Sequence, residues 1–397
     1  MRCTGDCGDR GGDPAARPAP GRAVRAGVLL CAAAACGLVA SPLAWGGEPD
    51  LAAEAKALAE AAQKHFGSAY VTRIDYGRHL VYVSAADART FDRVVATLSE
   101  YADAQRLLLF PQPFEWNVTV VLPTLTDYRG AGVPAGVAGY YDLATRTLTS
   151  LSASNTLIHE FTHALQHSDE VRSGQRHAVW IQEGLATLFQ RLQVRKGQIE
   201  VLPDASLAGV QESVRQKTCR SLAALCAMER PAFAADAKAC YPHARYVMLY
   251  LLRQGKLREF YAAYKAGYAS DPTGARTLET VLGKPLDQVD AGWREWVLGQ
   301  EPPWTPARPP KAHLGIRMEQ AGEGVRVAAF LRDSVAEQGG ALKVGDVILS
   351  VAGQATPTPR DLTAAVQACG PGEVAEIEII RAQRVMVVTQ ALGAVRQ

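Results

Sequence analysis

Aromatic residues make up only 7% of this 397-residue chain, and histidine and cysteine number eight each. With so few histidines, any close pair of imidazoles is informative. An excess of one charge is also missing, because 42 Lys and Arg face 40 Asp and Glu for a net charge of +2. Residues 1–46 hold five Arg and three Asp, so the remainder carries 37 basic and 37 acidic side chains. Phosphate binding needs a concentrated basic face, and this balance argues against a nucleic-acid partner. Beyond residue 47 no apolar run is long enough to span a bilayer. At 48% hydrophobic and 21% charged, the chain is too apolar for intrinsic disorder and too long for one core, so two or three folded units are expected.

The N-terminus has the form of a secretory signal: Arg17, Arg22 and Arg25 precede an uncharged, Ala-rich stretch over residues 26–47. Residues 1–46 are read as a signal peptide. Cleavage after Gly46 fits the small pair Ala44 and Gly46, while the same stretch is long enough to serve as a retained membrane anchor. Either way the protein is exported, periplasmic or secreted. Four cysteines then remain, Cys219, Cys226, Cys240 and Cys369, three of them within 22 positions. One disulfide is expected in that cluster, joining Cys219 to Cys226 or to Cys240.

Residues 51–65 carry a helical pattern, followed by candidate strands at 69–74 and 79–84, a helix over 85–108 and a third strand at 116–122. A pair of short strands at 136–141 and 145–151 completes a small mixed sheet. From residue 154 to 299 the pattern is almost all helical, with prolines such as Pro242 marking breaks or first turns. Residues 301–310 hold five prolines, so 301–312 is read as a stiff linker with few contacts across it. The fold class that follows is α+β, a small mixed sheet and a mainly helical lobe, with a β-rich C-terminal domain over residues 313–397.

One motif carries chemistry. In Ile158-His159-Glu160-Phe161-Thr162-His163 the two histidines lie at i and i+4, about 40° apart on a helix, so both imidazoles can share one zinc ion while Glu160 projects toward a water on it. Twenty positions after His163, in Trp180-Ile181-Gln182-Glu183-Gly184-Leu185-Ala186, Glu183 falls among apolar residues. A carboxylate there is costly to bury unless it meets a cation. Twenty positions is also a distance at which a second antiparallel helix returns to the first.

These residues resemble the gluzincin metallopeptidases, the thermolysin-like superfamily, over residues 71–297, in particular the bacterial peptidase MA-like group. The resemblance implies one Zn2+ per chain held by His159, His163 and Glu183, with Glu160 as the general base for hydrolysis of protein or peptide substrates. It also offers Tyr241 as the donor to the oxyanion, in a helix opening at that residue, with His243 as competitor. About 110 residues separate the cleavage point from His159, too few for the large β domain of the glycyl aminopeptidases that also end in a PDZ domain. The Gly-x-Met-Glu-Asn signature that grips a free amine is absent, so the implied activity is that of an endopeptidase. His167, four residues after His163 without the Gly that bends metzincin chains back, is read as a surface residue or a neighbour of the site and not a ligand. The strand at 136–141 is a candidate edge for an extended substrate.

Residues 313–392 resemble a bacterial PDZ domain of the HtrA type, above all in Lys343-Val344-Gly345-Asp346-Val347-Ile348. The resemblance implies that Leu314, Gly315 and Ile316 form the loop that receives the C-terminal carboxylate of a peptide. The organisation expected is therefore a signal segment (1–46), a metallopeptidase domain (47–300), a linker (301–312) and a PDZ domain (313–397). The alternative is a metallopeptidase-like protein without turnover that serves as a PDZ peptide-binding module.

Overall fold

Leu80–Ser84 and Val118–Leu122 are buried at every position, as strands covered on both faces must be. In the computed structural model, which describes residues 50–134, 137–195, 198–201, 204, 206–301 and 312–394, they are β2 and β3 of a five-stranded sheet. Its other strands are β1 (Val71–Asp75), β4 (Gly139–Asp142) and β5 (Thr147–Ser150), in the order β1-β2-β3-β5-β4. The β2-β3 and β3-β5 pairs are parallel and the two outer pairs antiparallel, so the expected mixed sheet is present and β4 is an edge. Helix α1 (Leu51–Phe66) is capped by the Asp50 carboxylate and α2 (Ala88–Leu108) by Asp87, each accepting two backbone N–H groups. A short α3 (Leu125–Gly130) follows β3. The signal segment and linker residues 302–311 lie outside the described residues. Among those described, no helix is long and apolar enough to cross a membrane.

The helical lobe begins with α4 (Asn155–Ser173) and α5 (Val179–Phe189). A hairpin of β6 (Leu192–Arg195) and β7 (Gln198–Val201) interrupts it, in a half whose sequence pattern is almost all helical. Then come α6 (Ser206–Arg215), α7 (Leu222–Cys226), α8 (Arg230–Ala235), α9 (Ala237–Arg253), α10 (Leu257–Gly267), α11 (Ala275–Leu282) and α12 (Leu286–Leu298). Pro242 does not open a helix. It sits inside α9, which begins at Ala237, so Tyr241 is already in the second turn.

Helix α5 is buried at every residue but Gln182, and α9 lies against it. Gly184 allows that contact: a Cβ there would stand 3.0 Å from the Ala244 carbonyl oxygen and 3.0 Å from Met248 Cγ. Gly184→Ala is therefore expected to destabilise the fold by about 1–3 kcal/mol through overpacking. The exposed helical Gly209, with nothing within 4 Å of its Cβ position, should instead gain about 0.5–1 kcal/mol as Ala. Thermal denaturation of the two variants gives the comparison, and equal effects would refute the close approach of α5 and α9.

No disulfide forms among the described residues. Cys219, Cys226, Cys240 and Cys369 are free thiols, contrary to the expected bridge. Cys219 Sγ, on a half-buried residue, faces His243 Nδ1 at 3.8 Å, and the buried Cys240 Sγ faces Met228 Sδ at 3.7 Å, so each sulfur has its own partner.

The C-terminal domain comprises β8 (Ala312–His313), β9 (Ile316–Gln320), β10 (Val325–Phe330), α13 (Val335–Gly339), β11 (Val347–Val351), β12 (Gln354–Ala355), α14 (Pro359–Gln367), β13 (Val374–Arg381), β14 (Arg384–Ala391) and β15 (Gly393–Ala394). Its main sheet runs β14-β13-β11-β10-β9, with β12 paired to β11. The β13-β14 side of this sheet rests on the N-terminal domain. Val347, Ile380 and Val385 belong to the same buried cluster as the N-terminal core, each worth about 1.5–3 kcal/mol of burial. Arg129 makes a two-pronged pair with Glu323 at 2.8 and 2.7 Å, and Leu125 N–H donates to the Gln383 carbonyl at 2.8 Å. The expectation of few contacts across the linker is thus overturned. A proline-rich spacer restricts the connecting chain but does not prevent apolar faces on either side of it from meeting.

Candidate metal centre

Helix α4 ends at Gly174, whose left-handed conformation (φ 63°) sends its own N–H to Val171 O and the next N–H to Glu170 O. The connection is held by Glu170, whose Oε1 accepts the His177 backbone N–H at 3.0 Å. Only residues 174–178 separate the helices, so α5 returns directly along α4. That hairpin sets Glu183 opposite His159 and His163, which lie one turn apart on α4.

The three side chains converge. His159 Nε2 and His163 Nε2 are 3.1 Å apart, and Glu183 Oε2 lies 3.4 and 3.3 Å from them. Ligands of a tetrahedral ion bonded at about 2.0–2.1 Å stand about 3.3 Å from one another, so the triangle has the edge lengths of such a site. Glu183 is 3% exposed and its Oε2 has no hydrogen-bond partner. A buried, unpartnered carboxylate oxygen is costly unless a cation meets it. Among the described residues this is the one group of three or more His, Cys, Asp or Glu placed to hold a metal. Burial opposes charge on both sides of the contact. Even so, Glu183 raises the His163 imidazole to about 9, and the two histidines hold Glu183 well below the usual carboxylate range.

The rest of the site orients these donors. His163 Nδ1 is 2.9 Å from Gln166 Oε1 and His159 Nδ1 is 3.2 Å from Gln190 Oε1, so each Nδ1 donates to its glutamine and each Nε2 is turned toward Glu183, where loss of its proton leaves it free to ligate a metal. Arg230, at the start of α8, donates to Glu183 Oε1 at 2.9 Å and to Gln182 Oε1. These three residues went unread in the sequence. Gln166 follows His163 by three and Gln190 follows Glu183 by seven, helical spacings that could have flagged them, whereas nothing in the sequence marks Arg230.

Glu160 is half-buried on α4, and its charge is felt by His163, Tyr128 and Tyr241 around it. The Tyr241 ring is stacked 6.3 Å from His159, and burial, followed by the nearby Glu183, pushes its hydroxyl pKa up, so it stays protonated and able to donate. His243 is elsewhere. Two residues along a helix is a rotation of about 200°, so it faces away from Tyr241, stacked 4.6 Å from Trp293, where burial lowers it to about 3. That removes it as the competitor to Tyr241. His167 is not in the metal cluster either: its Nδ1 is 3.2 Å from the Tyr141 hydroxyl on β4, and it tethers that edge strand to α4.

In the C-terminal domain, Leu314, Gly315 and Ile316 line a cavity of about 430 Å³ between β9, the sheet edge, and α14, together with Met318, Leu362 and Val366. Gly315 has φ 72°, and a Cβ there would stand 2.4 Å from Ser334 Cβ, so only glycine fits the loop.

The PDZ domain family matches residues 312–389. No curated protein matches the chain. Among solved structures it is similar to the HtrA-type protease AlgW with decapeptide at 27% identity, over 22% of this chain and 30% of that one with a TM-score of 0.21. It is similar to the HtrA3 PDZ domain bound to a phage-derived ligand at 24% identity, over 21% and 88%, TM-score 0.19. It is also similar to an aminopeptidase N family protein from Idiomarina loihiensis at 14% identity, over 82% and 66%, TM-score 0.38. The chain spans 30–38% of the length of the HtrA-type proteases and the Yersinia pestis serine endoprotease that it matches. Residues 312–389 are a PDZ domain, a peptide-binding module.

Proposed function

We propose that this chain is an exported zinc metallopeptidase of gluzincin type that hydrolyses peptide bonds in protein substrates, with the PDZ domain recruiting or positioning them by their C-termini. The observation that carries the reading is the triangle of His159 Nε2, His163 Nε2 and Glu183 Oε2, with the last oxygen buried and unpartnered. His159, His163 and Glu183 would hold one zinc ion per chain, which when bound supplies the Lewis acidity that activates water and polarises a carbonyl. Three protein ligands leave a coordination position open, as catalytic sites do and structural ones do not.

Glu160 takes the proton of the attacking water and returns it to the leaving amine. The Tyr241 hydroxyl donates a hydrogen bond to the oxygen that gains charge. Gln166 and Gln190 keep the imidazoles in the tautomer that ligation needs. Strand β4, at the edge of the five-stranded sheet, pairs with an extended substrate backbone. Residues 1–46 direct export, either cleaved or retained as an anchor.

Zinc content and casein cleavage by purified residues 47–397, before and after chelation, test the reading. One zinc per chain is expected, with cleavage lost on chelation and restored by zinc. Protein that binds no zinc overturns it, and zinc without turnover leaves a peptide-binding module. Tyr241→Phe should lower kcat about 10²-fold with zinc retained, since it deletes one oxyanion donor. Unchanged kcat would take Tyr241 out of the reaction.

A further inference from the structure

The PDZ domain touches the N-terminal domain at the start of α4 and just past the end of α5, the open end of the hairpin that carries the candidate metal ligands. Asn155, the first residue of α4, donates its side-chain amide to the Gly353 carbonyl, and Arg191, just past α5, donates to the neighbouring Ala352 carbonyl at 3.2 Å. Both acceptors lie in the turn between β11 and β12. Asn155 is one turn before His159, about 6 Å along the axis. Arg191 adjoins Gln190, whose Oε1 lies 3.2 Å from His159 Nδ1.

A second contact braces the entry to α4. Glu378 on β13 is 4% exposed and accepts from the Ala153 backbone N–H at 2.8 Å, from Ser152 Oγ at 3.1 Å and from Ser350 Oγ at 2.8 Å. The α4 cap, Ser154, makes no capping bond of its own. A buried carboxylate from the PDZ domain therefore supplies the negative charge beside a helix start that lacks a side-chain cap.

We propose that the PDZ domain is a built-in part of the metal centre, its Ala352–Gly353 turn and Glu378 acting as positioning groups that fix the start of α4 against the end of α5. The separation of those ends sets how His159 and His163 face Glu183. The proposal rests on the reading of these three residues as metal ligands.

Gly353 gives a sharp test. It has φ 72°, and a Cβ there would stand 2.9 Å from Arg191 Nη1 and 3.4–3.5 Å from the Asn155 amide. Gly372, in the same domain with φ 82°, would meet nothing within 4 Å. Gly353→Ala and Gly372→Ala therefore carry similar backbone strain, but only the first meets the Arg191 guanidinium, which must shift from its place beside the Ala352 carbonyl, while Asn155 stays at ordinary contact distance. In the full chain, zinc affinity is measured by competition with a chromophoric chelator, and the visible spectrum is recorded with Co2+ in place of zinc. Gly353→Ala and Glu378→Gln are each expected to weaken zinc at least tenfold and to alter the Co2+ bands, while Gly372→Ala does neither. If wild-type protein binds zinc and the first two variants match it, the proposal falls and the zinc reading stands. If Gly372→Ala weakens zinc equally, the effect is general strain and the proposal falls. A wild-type chain that binds no zinc removes the reading beneath it, and the proposal with it.

Discussion

Glu160→Gln should retain one zinc per chain and lose about 10²–10⁴-fold in turnover, the range that a positioned general base contributes. The amide keeps the size and planarity of the carboxylate but cannot accept a proton from water. Glu160 is not among the three converging donors, so its replacement leaves the triangle of His159, His163 and Glu183 untouched. Zinc stoichiometry and peptide turnover on the same preparation decide the matter. Wild-type turnover in this variant would exclude Glu160 as the base, and lost zinc would make it a ligand.

Glu183→Ala should show the opposite pattern, with zinc lost. Two imidazoles would remain on α4 with the open side of the triangle facing a cavity where the carboxylate had been. Partners of ligands already change metal affinity 10–100-fold, so removing a ligand should weaken zinc by more than about 10²-fold. The protein should still fold, because the partner left behind, Arg230, has a side chain 54% exposed that water can solvate. Circular dichroism alongside zinc titration separates the two effects. Unchanged zinc affinity with Glu183 removed would move the third ligand elsewhere and discard the triangle as the site.

Much of this arrangement was legible in the chain because it is local. A His-to-His spacing of four needs only a helix to bring two imidazoles together, and Glu183 among apolar neighbours signals a carboxylate with a buried task. Tyr241 and His243, two residues apart, could not be separated by spacing alone. The direction in which α9 packs on α5 decides between them, and that depends on Gly184 and on a helix that starts before Pro242. Arg230 was invisible for a related reason, since a lone arginine after a loop has no period to betray it. The PDZ docking was misread because proline content describes the connecting chain, while the faces that meet are set by side chains of β13 and β14 such as Ile380 and Val385.

The docking also has a kinetic side. Its contacts join residues far apart in sequence: Arg129 with Glu323 across 194 positions, Asn155 with Gly353 across 198 and Arg93 with Glu376 across 283. Pairings of that separation form late, after local helices and hairpins are in place, because loop closure must precede the contact that rewards it. Until then Val347, Ile380 and Val385 stay exposed to solvent. Strands from the PDZ domain thus finish a core begun by the N-terminal domain, and the interval between the two events is when these apolar faces are most prone to aggregate.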